Sequence, residues 1–305
     1  MTAGAAALRV THLAKPLWPA PGGPVTKGEY LAYLGAIAPH ALPHLLGRPL
    51  VLTRYPHGAG GPSFYQKNLP RGAPAWLPRF RHTGSGGRAL DYLVPAAAAD
   101  LIWVGQQAAL EFHPWLSTVA HPAFPDRAVI DLDPMAPAGF EEARQVARVL
   151  GELLRRSGVR SWLKTSGATG LHVLLPIAAQ RPHRAVAADV RAVAELLRRL
   201  WPERVTLERA VARRGARVYV DYPQNGPGKT VCAAYSPRPL PGAPVSTPLD
   251  WAELDGVQPG QWTVRTVPPR LAARPDPWRD LPDAPPEDLG ALARACRGAR
   301  GAPAP

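Results

Sequence analysis

The octapeptide RAVIDLDP, residues 127–134, closes an apolar run with two carboxylates, Asp131 and Asp133, one residue apart. On an extended strand, residues i and i+2 share a face, roughly 6–7 Å apart. Leu132 then points the other way, into a core. Two carboxylates side by side repel one another and resist burial. A hard divalent cation removes that difficulty, because Mg²⁺ and Mn²⁺ take oxygen ligands, typically one or two carboxylates plus phosphate oxygens. The plainer reading is a strand end running into a solvated loop, with Asp133 setting an Asp-Pro turn. Asp221, which ends the alternating stretch RVYVD, carries the same pair of readings. As a third acid on a neighbouring strand it would complete a site for two metal ions, which clamp the attacking and leaving oxygens of phosphoryl transfer.

Two further stretches bear groups suited to phosphate. In KTSGATGLHVLLP, Ser166, Gly167 and Gly170 make a small-residue turn whose backbone N–H groups could approach an anion closely. His172, at the start of the next strand, could donate to a phosphate oxygen or could be an ordinary buried histidine. In QNGPGKTVCAAYSPRP, Lys229 and Arg238 could neutralise a triphosphate beside bound metals. Without the aspartates they would be solvated charges.

The charge balance points the same way. Lys plus Arg number 36 against 23 acids, a net +13, which suits a polyanionic partner such as nucleic acid, although an Arg-rich composition alone could produce it. Five of those cations are lysines, Lys15, Lys27, Lys67, Lys164 and Lys229. Lysine is a compact point charge and a good phosphate ligand, so these five positions mark where such a charge is wanted. Cys232 and Cys296 match no metal or redox spacing and read as reduced cysteines of a cytoplasmic protein. No apolar run is long enough to span a membrane, and the N-terminal stretch is too short and too weakly basic for a signal peptide.

Elements must position these groups. Thr26 reads as the N-cap of a helix over TKGEYLAYLGAIAPHALPHL, with Tyr30, Leu34 and Ile37 on one face. Residues 139–157 are the clearest amphipathic helix, and another runs from about His183 to Trp201. RPLVLTRYP, RAVIDLDP, SWLKTS, LHVLLP, ARVYVDYP and KTVCAAYS read as strands, the last two joined as a hairpin by QNGPG. After about residue 237 the chain turns Pro-rich, with one short helix expected near PLDWAELDG and a mobile tail over 299–305. Helices mixed with antiparallel pairs predict an α+β fold around a central sheet, not a doubly wound one.

In combination, IDLDP, TSGATGLHV, VDYPQNGPGKT, YSPRP and PGAPVSTPL make the chain resemble the polymerase domain of bacterial DNA ligase D, in the archaeo-eukaryotic primase superfamily. The resemblance runs from about LRVTHLAK to about DPWRDL. It implies one catalytic domain over 1–298 built of two intertwined subdomains, a primase-type core with an RRM-like sheet plus an added αβ subdomain. It implies template-directed nucleotidyl transfer at DNA ends in non-homologous end joining, with NTPs or dNTPs as substrates and two Mn²⁺ or Mg²⁺ ions.

The resemblance also assigns residues. Asp131, Asp133 and Asp221 match the metal-binding catalytic acids. Ser166, His172, Lys229, Arg238, His113 and Arg54 match residues around the incoming nucleotide. Phe64 falls where an aromatic stacks on template, against the alternative of core packing. Lys15 and Lys27 match a pocket for a 5′-phosphate, and Lys67 follows the template-contact segment. Ku and a DNA ligase are the implied protein partners, and the nucleoid the implied place of work. Two departures stand out: Thr169 replaces a common Lys, and Ala14 replaces a common acid before Lys15. A metal-dependent nuclease or phosphatase, or a non-catalytic DNA-end-binding module, are the competing readings.

Overall fold

In the computed structural model, which describes residues 8–84 and 86–299, strand alternation sets the architecture. The N-terminal part begins with the short pair β1 (Pro16–Trp18) and β2 (Val25–Thr26), followed by α1 (Lys27–Leu45). Helix α1 starts as its sequence requires. The Thr26 hydroxyl accepts from the Glu29 N–H at 3.2 Å, and the Glu29 carboxylate accepts from the Thr26 N–H at 2.8 Å. Next come β3 (Leu50–Arg54), β4 (Phe64–Gln66), β5 (Arg79–Thr83), β6 (Ala89–Leu93), α2 (Ala98–Gln106) and β7 (Ala109–Pro114). These strands form one sheet in the order β4-β3-β6-β5, with β7 also paired to β3.

The rest of the chain builds a second sheet. It contributes β8 (Arg127–Pro134), α3 (Phe140–Arg156), β9 (Trp162–Thr165), β10 (Leu171–Pro176), α4 (His183–Leu200), β11 (Val205–Thr206), β12 (Val218–Val220), β13 (Pro248–Leu249), α5 (Val267–Ala273) and α6 (Leu289–Gly298). The six strands run in the order β11-β12-β8-β10-β9-β13, all antiparallel except β11 with β12. Alternation divides the faces of this sheet. Ala128, Ile130, Leu132, Leu171, Val173, Val218 and Val220 share one buried core with the apolar faces of α3 and α4. Val129, Trp162 and Leu174, on the opposite face, belong to the core of the N-terminal part. The fold is therefore α+β, with a six-stranded mixed sheet and an added αβ unit.

One expected pairing does not form. KTVCAAYS is not the return strand of a hairpin with β12. Residues 222–225 make a 3₁₀ turn, and the chain then crosses to the other sheet. Thr230 bridges Trp115, and the Ala233 N–H donates to the Phe112 carbonyl at 2.8 Å. Pro223 removes a backbone donor at the end of the first expected strand. Asn225 also takes a ladder's place: its side chain accepts from the Val129 N–H at 2.8 Å and donates to the Val129 carbonyl at 2.7 Å. The Pro-rich C-terminal part holds the short helix expected near PLDWAELDG, as a single 3₁₀ turn over Trp251–Glu253, and two helices that were not expected, α5 and α6. Apart from Ala299, the expected mobile tail 299–305 lies outside the described residues. Among the described residues no helix is long and apolar enough to cross a membrane.

Candidate active site

Antiparallel register puts the polar groups of the second sheet in rows. Asp131 on β8 lies directly opposite His172 on β10, and His172 directly opposite Lys164 on β9. Two residues along β8, Asp133 lies opposite Tyr219 on β12. Asp221 follows β12, and its N–H donates to the Asp131 carbonyl at 2.9 Å. All these side chains project from the face turned towards the N-terminal part. There Asp131, Asp133, Asp221 and His172 meet His113 of β7 and Tyr65 of β4 across a cleft of about 320 Å³, which Ser166, Cys232, Gln224 and Arg238 also line. Larger clefts of about 620 and 710 Å³ exist elsewhere, but none of the three acids lines either.

Burial raises two of the three acids. Burial, then the charges of Asp221 and Asp133, push the Asp131 carboxyl up to about 7. The Asp221 carboxyl is also raised, chiefly by burial, against the hydrogen bond from Tyr219. Each acid is engaged by the protein. Asp131 Oδ1 is 3.4 Å from His172 Nε2, Asp133 is ion-paired to Arg214 at 3.0 Å, and the Tyr219 hydroxyl donates to Asp221 at 3.2 Å. The Arg214 guanidinium also lies 4.0 Å over the Tyr219 ring. Among the described residues, no three His, Cys, Asp or Glu side chains already converge as a cage for one ion. The donor set nonetheless fits a hard divalent cation: three carboxylates share one cleft, and burial beside the other two raises Asp131 to about 7.

The Ser166 turn is built by close approach. Gly167 has φ +76°, and a Cβ there would lie 2.7 Å from Arg238 Cγ and from the Ser246 nitrogen. A Cβ on Gly170 would lie 2.4 Å from the Leu132 carbonyl oxygen. The turn does not offer all its N–H groups to an anion, since those of Ala168 and Gly170 donate to Ser166 Oγ at 3.1 and 3.0 Å. Arg238 is ion-paired to Glu111 at 2.9 Å and lies 3.4 Å from the Ser166 carbonyl. Burial raises the Glu111 carboxyl, but the His113 hydrogen bond, the Arg238 charge and the Tyr55 hydroxyl together outweigh it and hold the group below its ordinary range. His172 is held well below the usual imidazole range by burial and by the charges of Lys164 and Arg238.

The other expected residues fall into three places. Lys229 lies just outside the acid cleft, close enough for its charge to act on Asp221, and lines the adjoining 710 Å³ cleft together with Lys67. Lys15 and Lys27 meet each other away from the acids: the Lys27 N–H donates to the Lys15 carbonyl at 2.8 Å. The Lys27 ammonium is lowered by burial and by the Lys15 charge. Arg54 does not line the acid cleft. It stacks 5.3 Å over the Phe64 ring and is bonded to Gln107 and Gln66. Phe64 is 47% exposed, so it is not a core residue, and Tyr65 beside it is 72% exposed. Lys164 is buried rather than facing phosphate.

Sequence reasoning passed over Glu111, Tyr65, Arg214 and Tyr219. Glu111 carried a signal, since it sits two residues before His113 and so on the same face of β7.

Three carboxylates and an ion-paired arginine thus line one cleft between the two sheets. A family model described as "LigD, primase-polymerase domain" matches residues 26–278, and the chain belongs to that family of DNA-directed nucleotidyltransferases. The multifunctional non-homologous end joining DNA repair protein LigD of Mycobacterium tuberculosis is 34% identical over 305 residues, covering 97% of this chain and 40% of that protein. The LigD protein of Pseudomonas aeruginosa is 33% identical over 281 residues, 91% of this chain and 33% of that one. The chain therefore spans only about a third to two fifths of these relatives. A solved structure titled as the polymerase domain from Mycobacterium tuberculosis ligase D in complex with DNA superposes with a TM-score of 0.82 at 34% identity, covering 92% of this chain and 99% of that chain.

Proposed function

We propose that this protein extends or fills gaps at DNA ends by template-directed nucleotidyl transfer from NTPs or dNTPs, within non-homologous end joining. The observation that carries this reading is that Asp131, Asp133 and Asp221 line one cleft with His172 and Arg238. Asp131, Asp133 and Asp221 would hold Mn²⁺ or Mg²⁺, two ions as the family resemblance implies, and such ions when bound lower the pKa of an attacking hydroxyl and neutralise phosphate charge. The remaining work belongs to the chain. Arg238, fixed by Glu111, supplies a preorganised positive charge for the triphosphate, and Lys229 adds a second from the cleft rim. His172 and His113 line the walls that orient it. Phe64 and Tyr65 present rings to a template strand, where stacking is worth about 1–3 kcal/mol per base. Lys15 and Lys27 take the 5′-phosphate across a gap, and Lys67 the backbone beside the template. Ku and a DNA ligase are the partners this role calls for.

The test is primer extension on a gapped duplex with a downstream 5′-phosphate, using Mn²⁺ and Mg²⁺ with NTPs and dNTPs, beside an Asp131→Ala/Asp133→Ala double variant. Templated extension by the parent and none by the variant is expected. A change in primer length that needs no triphosphate would favour a nuclease. DNA binding without any extension would favour a non-catalytic end-binding module.

A further inference from the structure

The row that starts at Asp131 does not stop at His172. It runs on to Lys164, which is 1% exposed, and beyond β9 to Ser246. Lys164 Nζ lies 2.7 Å from His172 Nδ1 and 2.5 Å from Ser246 Oγ. Neither partner is a carboxylate. Burying an ammonium among neutral groups costs several kcal/mol, and an apolar side chain would fill the space more cheaply.

The direction of each hydrogen bond in the row can be worked out. The Ser246 hydroxyl donates to the Thr165 carbonyl at 2.8 Å. A hydroxyl has one proton, so Ser246 Oγ must accept from Lys164. Burial lowers the Lys164 ammonium to about 8, which leaves it charged at pH 7, and an ammonium has three donors and no acceptor. The ring nitrogen 2.7 Å from it must therefore present a lone pair, because a proton on Nδ1 would set one N–H against another. The ring's single proton is left on Nε2, the nitrogen that faces Asp131 and the cleft.

We propose that Lys164 is a positioning residue that locks neutral His172 in its Nε2–H tautomer, so that the ring offers the cleft a hydrogen-bond donor. The locked tautomer follows from the protein alone. Its use, donation to an oxygen of the incoming triphosphate, rests on the polymerase reading. With the other tautomer a lone pair would face phosphate oxygen and repel it. Lys164 thus acts on the nucleotide only through His172.

The experiment uses the full chain labelled with ¹⁵N-histidine, at pH 7, without nucleotide or metal. Long-range ¹H–¹⁵N spectra read each ring's tautomer, and the His172 signals are assigned by their loss in His172→Gln. The parent should show a protonated Nε2 and a bare Nδ1. Lys164→Met, which keeps an unbranched chain but no donor, should shift His172 wholly or partly to Nδ1–H. In primer extension the same variant should raise KM for the nucleotide about tenfold, the loss of one hydrogen bond to a charged group, and leave kcat within about twofold. A protonated Nδ1 in the parent overturns the proposal even if the variant fails to fold. An unchanged tautomer in folded Lys164→Met overturns it too, as does a switched ring with an unmoved KM. A parent that incorporates no nucleotide would strike the proposed function instead, while the tautomer remains readable.

Discussion

At the scale of the residue, Asp131 makes pH a probe of the site. Its carboxyl is raised from an ordinary 3.8 to about 7, first by burial and then by its acidic neighbours. A raised carboxyl contributes stability that is complete below the unfolded value and is lost as pH rises through the folded one. In metal-free protein, Asp131→Asn should therefore gain stability over the parent, and gain more at pH 8 than at pH 5, by up to about 3 kcal/mol. Thermal melts at the two pH values check this. A bound cation reverses the sign, because only ionised acids are ligands. The rise in Tm on adding Mn²⁺ should be larger at pH 8 than at pH 6, with affinity changing up to about tenfold per pH unit for each proton displaced. A Mn²⁺ shift that is equal at both pH values, or that survives in an Asp131→Asn/Asp133→Asn protein, would count against metal binding by these acids. The pair itself was legible in the sequence, because i and i+2 on a strand must share a face. Arg214 was not: it lies in the Arg-rich run ARRGAR, and nothing local singles out the one arginine that reaches Asp133.

At the scale of the element, the site depends on how β8 is held on both sides. Along its Leu132 end, Gly170 passes so close that any side chain would collide with backbone rather than with a movable group. Gly170→Ala should cost about 1–3 kcal/mol of stability and, because the displaced strand carries Asp131 and Asp133, most of the activity as well. Along its Val129 side, the buried Asn225 amide replaces a neighbouring strand. Asn225→Ala would leave a backbone donor and an acceptor unpaired in a dry core, at about 2–3 kcal/mol. A lower urea midpoint with an unchanged m-value would report that loss. Helices α1, α3 and α4 were legible because each carries an apolar face at helical period. The stretch TVCAAY misled for the same kind of reason. Its apolar residues are buried between the two parts of the molecule, not in a ladder with β12, and composition does not distinguish the two. Helix α6 carried its signal too, an Asp288 cap followed by Leu289, Leu292, Ala293 and Cys296, but lay in Pro-rich surroundings that read as loop.

At the scale of the whole molecule, the cleft exists because chain segments far apart in sequence face each other, and no local pattern announces that. Glu111 holds Arg238, and Tyr33 donates to the Tyr235 carbonyl at 2.7 Å. The net charge of +13 was legible, but not its division of labour. General attraction for DNA should be spread over many arginines, whereas Lys15 and Lys27, the proposed 5′-phosphate site, lie together, and the Lys27 amine is lowered by burial and by the Lys15 charge. The two contributions separate experimentally. Binding to any duplex should weaken steeply as salt rises, because counterion release dominates non-specific affinity. A Lys15→Ala/Lys27→Ala protein should keep most of that non-specific binding, with a salt slope shallower by about two. It should lose the preference for a gap bearing a 5′-phosphate over the same gap bearing a hydroxyl, a difference of about tenfold or more for two charge-assisted contacts. Competition binding between the two gaps, at two salt concentrations, measures both. If the variant weakened binding to both gaps equally, these lysines would belong to the general field, and the recognition of a phosphorylated end would have to be sought elsewhere on the surface.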